Sequence, residues 1–445
     1  MDLIRNAEAV NETVEGDGVL RVGGKVVFVP GMMRGESGDV LITAEGKKYS
    51  RGKLIALREA SPERISPDCP YYGVCGGCSL LHMTRERELS LKKERVRETL
   101  SRIGGFPDGS CELTDTVGGM REGYRNKAEF LYEKGKGFGY VGREGGFVPV
   151  SSCRLLPPEM NRLIASSVFR SISGLRGMVV RTNHRGESML VLRTSEAFSL
   201  PDVFLSENRI VSLWKVTLRN KAVHALDGEL THIGGDTHLE DKICGLSFRL
   251  SPQAFFQINR EIAEKIYHRA VELSGLEKSD LAVDAYSGVG AIGMTAAAHA
   301  GNVIGVEIVP EAVEDARIAA RNNGICNITF LTGRCETLLP LDQRLKEAKT
   351  VFLDPPRKGC GKALLKALID AKPEKLVYVS CDPATLARDL AALRDNGYTL
   401  KRAEPYDMFP GTEHVETVCC LYHQKKDFIS VPYEPKDADY MNQLK

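Results

Sequence analysis

Hydrophobic and polar positions change rhythm along the chain. Over residues 1–58, short apolar alternations such as VLRVGGKVVFVPG (19–31) and GDVLITAEGKKYSRGKLIAL (38–57) are broken by Gly and Asp turns. Period-two alternation between turn residues predicts a small antiparallel barrel or sheet of about five strands. SPERISPDCP (61–70) holds three prolines and reads as a linker. Residues 84–103 set Leu89, Leu91, Val96, Leu100 and Ile103 among charges, which predicts an exposed amphipathic helix. From about 117 to 250, KAEFLY, GFGYVG, GMVVRTN, SMLVLRT and SLWKVTL alternate with Gly-containing turns around a helix near 158–170, a central α+β region.

Beyond residue 260 the rhythm becomes β-α-β. Apolar strands are expected at 281–286, 302–307, 328–333, 350–355 and 375–380, and helices near 290–300, 310–323, 361–371 and 383–396. YTLKRAEPYDMF and ETVCCLYH can add two terminal strands. This pattern predicts a doubly wound, Rossmann-like sheet with a ligand at the carboxyl ends of its strands. The tail 425–445 is polar and expected to be poorly ordered.

A chain of 445 residues is too long for one core, so several domains are expected. Lys+Arg 60 against Asp+Glu 59 creates no global positive field, and any nucleic-acid contact must come from local patches. No apolar run approaches the ~20 residues of a membrane span, and the first residues lack an apolar signal core. A cytoplasmic protein without a membrane or an obligate protein partner is the expectation. Its twelve Cys are then expected to be reduced, catalytic or metal-bound rather than paired.

DAYSGVGAIG (284–293) follows the first strand of the β-α-β region and opens a helix. Its glycines permit close backbone approach, and a helix start offers free N–H groups. Glu307 ends the next strand, 23 residues after Asp284, where a carboxylate can accept two ribose hydroxyls. NAD also fits such a loop. Asp354-Pro355-Pro356, at the end of the fourth strand, resembles the acidic-Pro-Pro motifs of nucleic-acid base methyltransferases, and with it S-adenosylmethionine is favoured over NAD.

SCDP (380–383) places Cys381 at the tip of the KLVYVS strand, and Glu416 follows 35 residues later in HVETVCC. A thiol there can add to carbon 6 of a pyrimidine, making carbon 5 nucleophilic enough to accept a methyl group. A base must then remove the carbon-5 proton, and Glu416 is the candidate. The bland alternative for Cys381 is a small buried hydrophobe, which is the preferred reading for Cys111, Cys244, Cys326, Cys335, Cys360, Cys419 and Cys420.

Cys69, Cys75 and Cys78 form C-x5-C-x2-C, with Cys153 following 75 residues later. Four thiolates suit zinc or an iron–sulfur cluster, and spacing does not choose. Residues 170–221 hold nine Arg/Lys against four Asp/Glu, with Phe198, Phe204 and Trp214 interspersed, and Arg121, Arg125, Lys127, Lys134 and Lys136 precede them. Such a stretch can neutralise phosphates and stack splayed bases, or be a solvated charged face.

SPQAFFQIN (251–259), DAYSGVGAIG, LDPPRKG (353–359), VSCDPATLARD (379–389) and MFPGTEHVET (408–417) resemble, in order, the motifs of the RNA 5-methyluridine methyltransferases, most nearly the bacterial 23S rRNA uracil-C5 enzymes. The resemblance runs from about residue 10 to 424. It implies Cys381 as nucleophile and Glu416 as base, with Gln257, Tyr286, Glu307 and Asp354 contacting S-adenosylmethionine. It implies a TRAM-like, OB-like RNA-binding barrel at 1–58, and a central domain at 61–84 and 117–250 carrying a [4Fe-4S] cluster on Cys69, Cys75, Cys78 and Cys153. A class I methyltransferase domain is implied at 85–116 and 251–424. The alternatives are a tRNA uridine methyltransferase of the same chemistry, or a non-catalytic RNA-binding assembly factor that has kept the fold.

Overall fold

A computed structural model describes residues 2–218 and 224–424; the expected tail, with Arg219 and Lys221, lies outside the described residues. Strands β1 (Leu3–Glu12), β2 (Asp17–Val22), β3 (Lys25–Pro30), β4 (Ser37–Glu45) and β5 (Tyr49–Glu59) close a barrel in the order β1-β2-β3-β5-β4. Alternate residues, among them Leu20, Val27, Val29 and Val40, fill its core. Closure removes the exposed edges that five short strands would otherwise present.

Two expectations fail next to the barrel. The proline-rich 61–70 segment is fastened, not a free linker: Arg64 donates to the fully buried Glu36 (Nη2–Oε2 2.7 Å), which also accepts from the Met33 and Ser61 backbone. Helix α1 (Arg85–Arg102), capped by the Thr84 hydroxyl, is not exposed. Leu91, Val96 and Leu100 are buried, and so are Arg87, Glu88 and Lys92. The apolar positions were legible, but burial of three charged residues was not, because their partners lie far off in the chain: Arg87 pairs with Glu12 of the barrel.

Strands β6 (Glu112–Leu113), β7 (Lys127–Glu133), β8 (Gly137–Val141) and β9 (Phe147–Pro149) precede helix α2 (Pro158–Ala165), and then come β10 (Gly177–Thr182), β11 (Ser188–Arg193), helix α3 (Asp202–Glu207), β12 (Ile210–Leu218) and β13 (Gly228–Gly235). All of these strands but β6 form a seven-stranded sheet, β13-β12-β11-β10-β7-β8-β9, over a core containing Phe130, Phe138 and Phe169. The hairpin β14 (Leu239–Ile243) and β15 (Leu246–Leu250) does not join it. Ile243, Phe248 and Leu250 are instead buried with the α/β core. The expected boundary at 250 therefore falls too late, because alternating burial does not reveal which core a hairpin covers.

Helix α4 (Arg260–Ser274) leads into β16 (Leu281–Ala285), α5 (Ala291–Ala297), β17 (Asn302–Glu307), α6 (Pro310–Asn322), β18 (Ile328–Thr332), α7 (Cys335–Leu338), β19 (Thr350–Leu353), α8 (Lys362–Ala371), β20 (Lys375–Ser380), α9 (Pro383–Arg394), β21 (Tyr398–Tyr406) and β22 (Glu416–His423). The sheet runs β18-β17-β16-β19-β20-β22-β21-β6. Strand β22 inserts antiparallel between two strands, and the rest are parallel. Helices α4, α5 and α6 cover one face; α1, α8 and α9 cover the other. Burial on both faces explains the nearly continuous apolar runs. Strand order reverses between β16 and β19, where open α/β sheets bind their ligands. Among the described residues no helix is long and apolar enough to cross a membrane.

Candidate active site

The carboxyl ends of β16, β17, β19 and β20 carry Asp284, Glu307, Asp354 and Cys381 to one edge of the sheet. In the loop after β16, Tyr286 and Gly290 take positive φ (63° and 82°). A Cβ on Gly290 would lie 2.5 Å from the Phe330 ring, so only glycine fits there. Glu307 crosses to this loop and accepts from Gly288 N (3.0 Å) as well as Val309 N (2.9 Å). Asp284 accepts from Gly293 N at 2.8 Å, but its Oδ1 and the Ser287 Oγ are buried with no partner among the described residues. Burial, reinforced by Asp354 and Glu307, pushes Asp284 up to about 8.

The SCDP turn is locked by its own residues. The Asp382 carboxylate caps α9, accepting from Ala384 N (3.0 Å) and Thr385 N (2.9 Å); Pro383 takes the first helical position and needs no N–H partner. Ser380 Oγ accepts from Asp382 N at 3.2 Å. Cys381 is thus held half-buried between strand and helix. Glu416 arrives by register: the antiparallel pairing of β20 with β22 ends at Ser380 opposite Thr417, which leaves Cys381 and Glu416 as the residues just beyond that last pair, close enough for Glu416 to act on the thiol. Burial first, then Glu416 and Asp354, pushes the Cys381 thiol up to about 11, against the pull of Arg357. Glu416, 7% exposed, is pushed up to about 8 by burial and then by Asp354, while Arg357 opposes. Burial raises Asp354 to about 7.

Three residues that sequence reading did not assign complete this group. Arg357 stands in LDPPRKG, whose loop is fastened to α9 by Thr385 Oγ1 donating to the Arg357 carbonyl (2.9 Å) and Arg388 to that of Lys358 (2.9 Å). The hydroxyl of Tyr267, on α4, is buried beside Asp354 and the Gln257 side chain, and burial and then Asp354 hold its pKa well above the ordinary value. Asp284 is the third; it was visible in its motif, but nothing there marks one oxygen as unpartnered. Of the expected cofactor residues, Gln257 and Asp354 meet at the Tyr267 hydroxyl, and Asp354 and Glu307 both act on Asp284. Tyr286 turns elsewhere: its backbone N–H donates to the Cys335 sulfur (3.2 Å) and its hydroxyl to Glu336 (2.9 Å).

Cys69, Cys75, Cys78 and Cys153 line a single cavity of ≈ 380 Å³, together with Arg125 and Arg193. All twelve cysteines are free. Burial, and then Cys153, Cys75 and Cys69, push Cys78 up to about 12. Among the described residues no three His, Cys, Asp or Glu side chains converge on a single metal ion; the four thiols surround a space.

The fold uses part of the expected basic and aromatic patch internally, while Arg170, Arg176, Lys134 and Lys136 stay exposed. Arg181 is buried and donates to the Ala254 carbonyl (2.6 Å), Arg121 pairs with Glu88, and Arg185 and Arg209 pair with Glu187. Phe198 and Phe204 pack onto the central core, and the Trp214 indole bonds Ser212. Alternating strand residues face opposite ways, so a basic run in sequence is not a basic surface.

The tRNA (Uracil-5-)-methyltransferase family model matches residues 236–425. An uncharacterized RNA methyltransferase of Halalkalibacterium halodurans is 35% identical over 439 residues, covering 92% of this chain and 94% of that protein. One from Bacillus cereus is 36% identical over 444 residues, covering 93% and 95%. The chain belongs with these RNA methyltransferases, and its residues 236–425 carry the tRNA (uracil-5-)-methyltransferase family match. The solved structure of the Pyrococcus abyssi tRNA (uracil-54, C5)-methyltransferase, in complex with S-adenosyl-L-homocysteine, is similar across 93% of this chain and 100% of that one, with a TM-score of 0.74 and 25% identity. As an RNA methyltransferase of this kind the protein uses S-adenosylmethionine.

Proposed function

We propose that this enzyme methylates carbon 5 of a specific uridine in 23S rRNA, with Cys381 as nucleophile and Glu416 as base. The observation that supports the chemistry is that the β20–β22 register ends just before the thiol and the carboxyl, with Glu416, Asp354 and Arg357 all near Cys381. Glu307 would take the ribose hydroxyls of the cofactor, while Gln257 and Asp354 flank its reacting end. Asp284 Oδ1 and Ser287 Oγ are buried polar atoms at the same loop with no partner among the described residues, as a polar ligand would supply. When bound, S-adenosylmethionine supplies an electrophilic methyl group on a positive sulfonium. The attacking form of Cys381 is the thiolate, and Asp354 is the neighbour that would take its proton, which leaves the Glu416 carboxylate for the later step. The sulfur bonds carbon 6, and the electrons of the 5,6 double bond make carbon 5 nucleophilic. Carbon 5 takes the methyl group. Glu416 then removes the carbon-5 proton; the double bond re-forms as the carbon–sulfur bond breaks and the thiolate leaves. Close positioning of the reacting atoms, rather than polar activation alone, supplies most of the rate.

We assign a [4Fe-4S] cluster to Cys69, Cys75, Cys78 and Cys153, and an RNA-gripping role to the barrel. Four thiolates crowded in one cavity repel unless cations neutralise them. Donors around a space suit a multi-metal cluster, whereas zinc would draw its sulfurs to one point at about 2.3 Å. A second reading for the RNA is a tRNA, favoured because the similar Pyrococcus abyssi enzyme acts on tRNA and aligns over a span too long to omit the barrel. Mapping 5-methyluridine in rRNA and tRNA from cells with and without the gene decides. Loss confined to 23S rRNA supports the first reading, loss confined to tRNA the second, and no loss in either overturns both.

A further inference from the structure

The loop 407–415, between β21 and β22, ends at Glu416. Loops ordinarily run over the surface, but most of this one is buried. Its few internal hydrogen bonds do not shape it; four separate segments do. From α1, Lys92 and Arg85 donate to the Asp407 carboxylate, Lys92 also reaches the Phe409 carbonyl (3.2 Å), and Arg95 holds the Glu413 carbonyl (2.7 Å). Glu88, also on α1, accepts from Gly411 N at 2.5 Å. From the cysteine-rich segment, Ser79 N and Leu80 N both donate to the Gly411 carbonyl at 3.0 Å. Tyr124 and Asn259 hold the Pro410 (3.3 Å) and Met408 (3.0 Å) carbonyls.

Lys92, Glu88 and Asp407 are each no more than 1% exposed. A buried ionic cluster is a poor way to gain stability, since well-packed apolar groups often do as well or better. What such a cluster supplies is directional geometry. Gly411 is where the two restraints meet. Its φ is 81°, and a Cβ there would lie 2.8 Å from Leu81 and 3.8 Å from the Cys78 sulfur.

We propose that Lys92, Glu88 and Asp407, acting with the Ser79–Leu80 grip on Gly411, are positioning residues that fix Glu416 against the Cys381–uracil adduct. This rests on the reading of Glu416 as the base. The clamp acts on the last step: addition and methyl transfer need Cys381 and the cofactor crevice, whereas elimination needs the carboxyl at the end of this loop. It also couples the four-thiol site mechanically to the base, through Gly411.

The test incubates full-length, cluster-loaded enzyme with S-adenosylmethionine and total RNA from cells lacking the gene. It follows turnover, RNA affinity and covalent protein–RNA adduct on denaturing gels. Lys92→Met is expected to lower kcat about 10–100-fold, the scale of an ångström misplacement, with KM and RNA affinity unchanged and with adduct accumulating. Gly411→Ala displaces the loop without removing a buried charge and is expected to do the same, so it decides if Lys92→Met does not fold. Glu416→Gln is the reference. Adduct in Glu416→Gln but in neither clamp variant overturns the positioning alone. A Glu416→Gln enzyme that turns over freely removes the base, and this inference with it. A uniform loss of all steps without adduct marks a purely structural clamp and also overturns it.

Discussion

Glu416 offers a measurement in which function and stability oppose each other. In the unfolded chain its carboxyl ionises near 4.5, and in the fold near 8. Between those values the folded state keeps a proton that the unfolded chain has released. Stability must therefore fall as pH rises through this window, by about 1.4 kcal/mol per pH unit. The span from 4.5 to about 8 sets a ceiling of about 5 kcal/mol, reduced as water and side chains relax around the ionised group. Glu416→Gln keeps the shape and removes the charge. The variant and the wild type, both without cofactor, should be equally stable near pH 4.5. They should separate steadily above it, with the variant ahead by ~2–5 kcal/mol at pH 8.5. The assay is urea unfolding at several pH values followed by far-ultraviolet circular dichroism. The single Trp214 lies in the central sheet, so its fluorescence separates that domain's transition from the catalytic one. A gap that is the same at pH 5.5 and 8.5, or a wild type that is the more stable at pH 8.5, would refute the claim that burial holds this carboxyl protonated.

Cys381→Ala should abolish methylation while RNA and cofactor binding survive, and RNA carrying 5-fluorouridine should trap the wild type covalently; methylation by the Ala variant sinks the nucleophile. S-Adenosylmethionine should bind more tightly than neutral S-adenosylhomocysteine as pH rises from 6 to 9, because Asp354 and Asp284 ionise near 7 and 8. Titration calorimetry with both ligands checks this, and a pH-independent ratio counts against those carboxyls facing the sulfonium. Anaerobically purified protein should be brown and carry about four irons; Ser at Cys69, Cys75, Cys78 or Cys153 should bleach it, and stoichiometric zinc without sulfide would defeat the cluster assignment.

The α/β sheet was legible almost strand by strand, because strands buried on both faces must be apolar throughout and their connecting helices must be amphipathic. The barrel was legible for the same reason, a period-two pattern between turns. SCDP also declared its own geometry, since its Ser, Asp and Pro act within four residues of the thiol they hold. Distant pairings were not legible. Nothing around Lys92, in a helix read as exposed, signals that Asp407 will neutralise it, nor around Arg64, in a segment read as a linker, that Glu36 will. The basic run at 170–221 failed in the opposite sense: strand alternation and burial turned Arg181 and Phe204 inward.

By itself the sequence determined which elements form and, through motif order, which family the chain belongs to, and it nominated the residues proposed for the chemistry, because these depend on local periodicity and on short spacings. Only the tertiary structure decided that Glu416 comes close to Cys381 beyond the end of the β20–β22 pairing, that Asp354 and Arg357 act on both with opposite signs, and that four thiols share one cavity. Those are properties of sheet register and of burial. Both depend on long-range closure of the chain, where a charge's pKa and a loop's direction are set by residues hundreds of positions away.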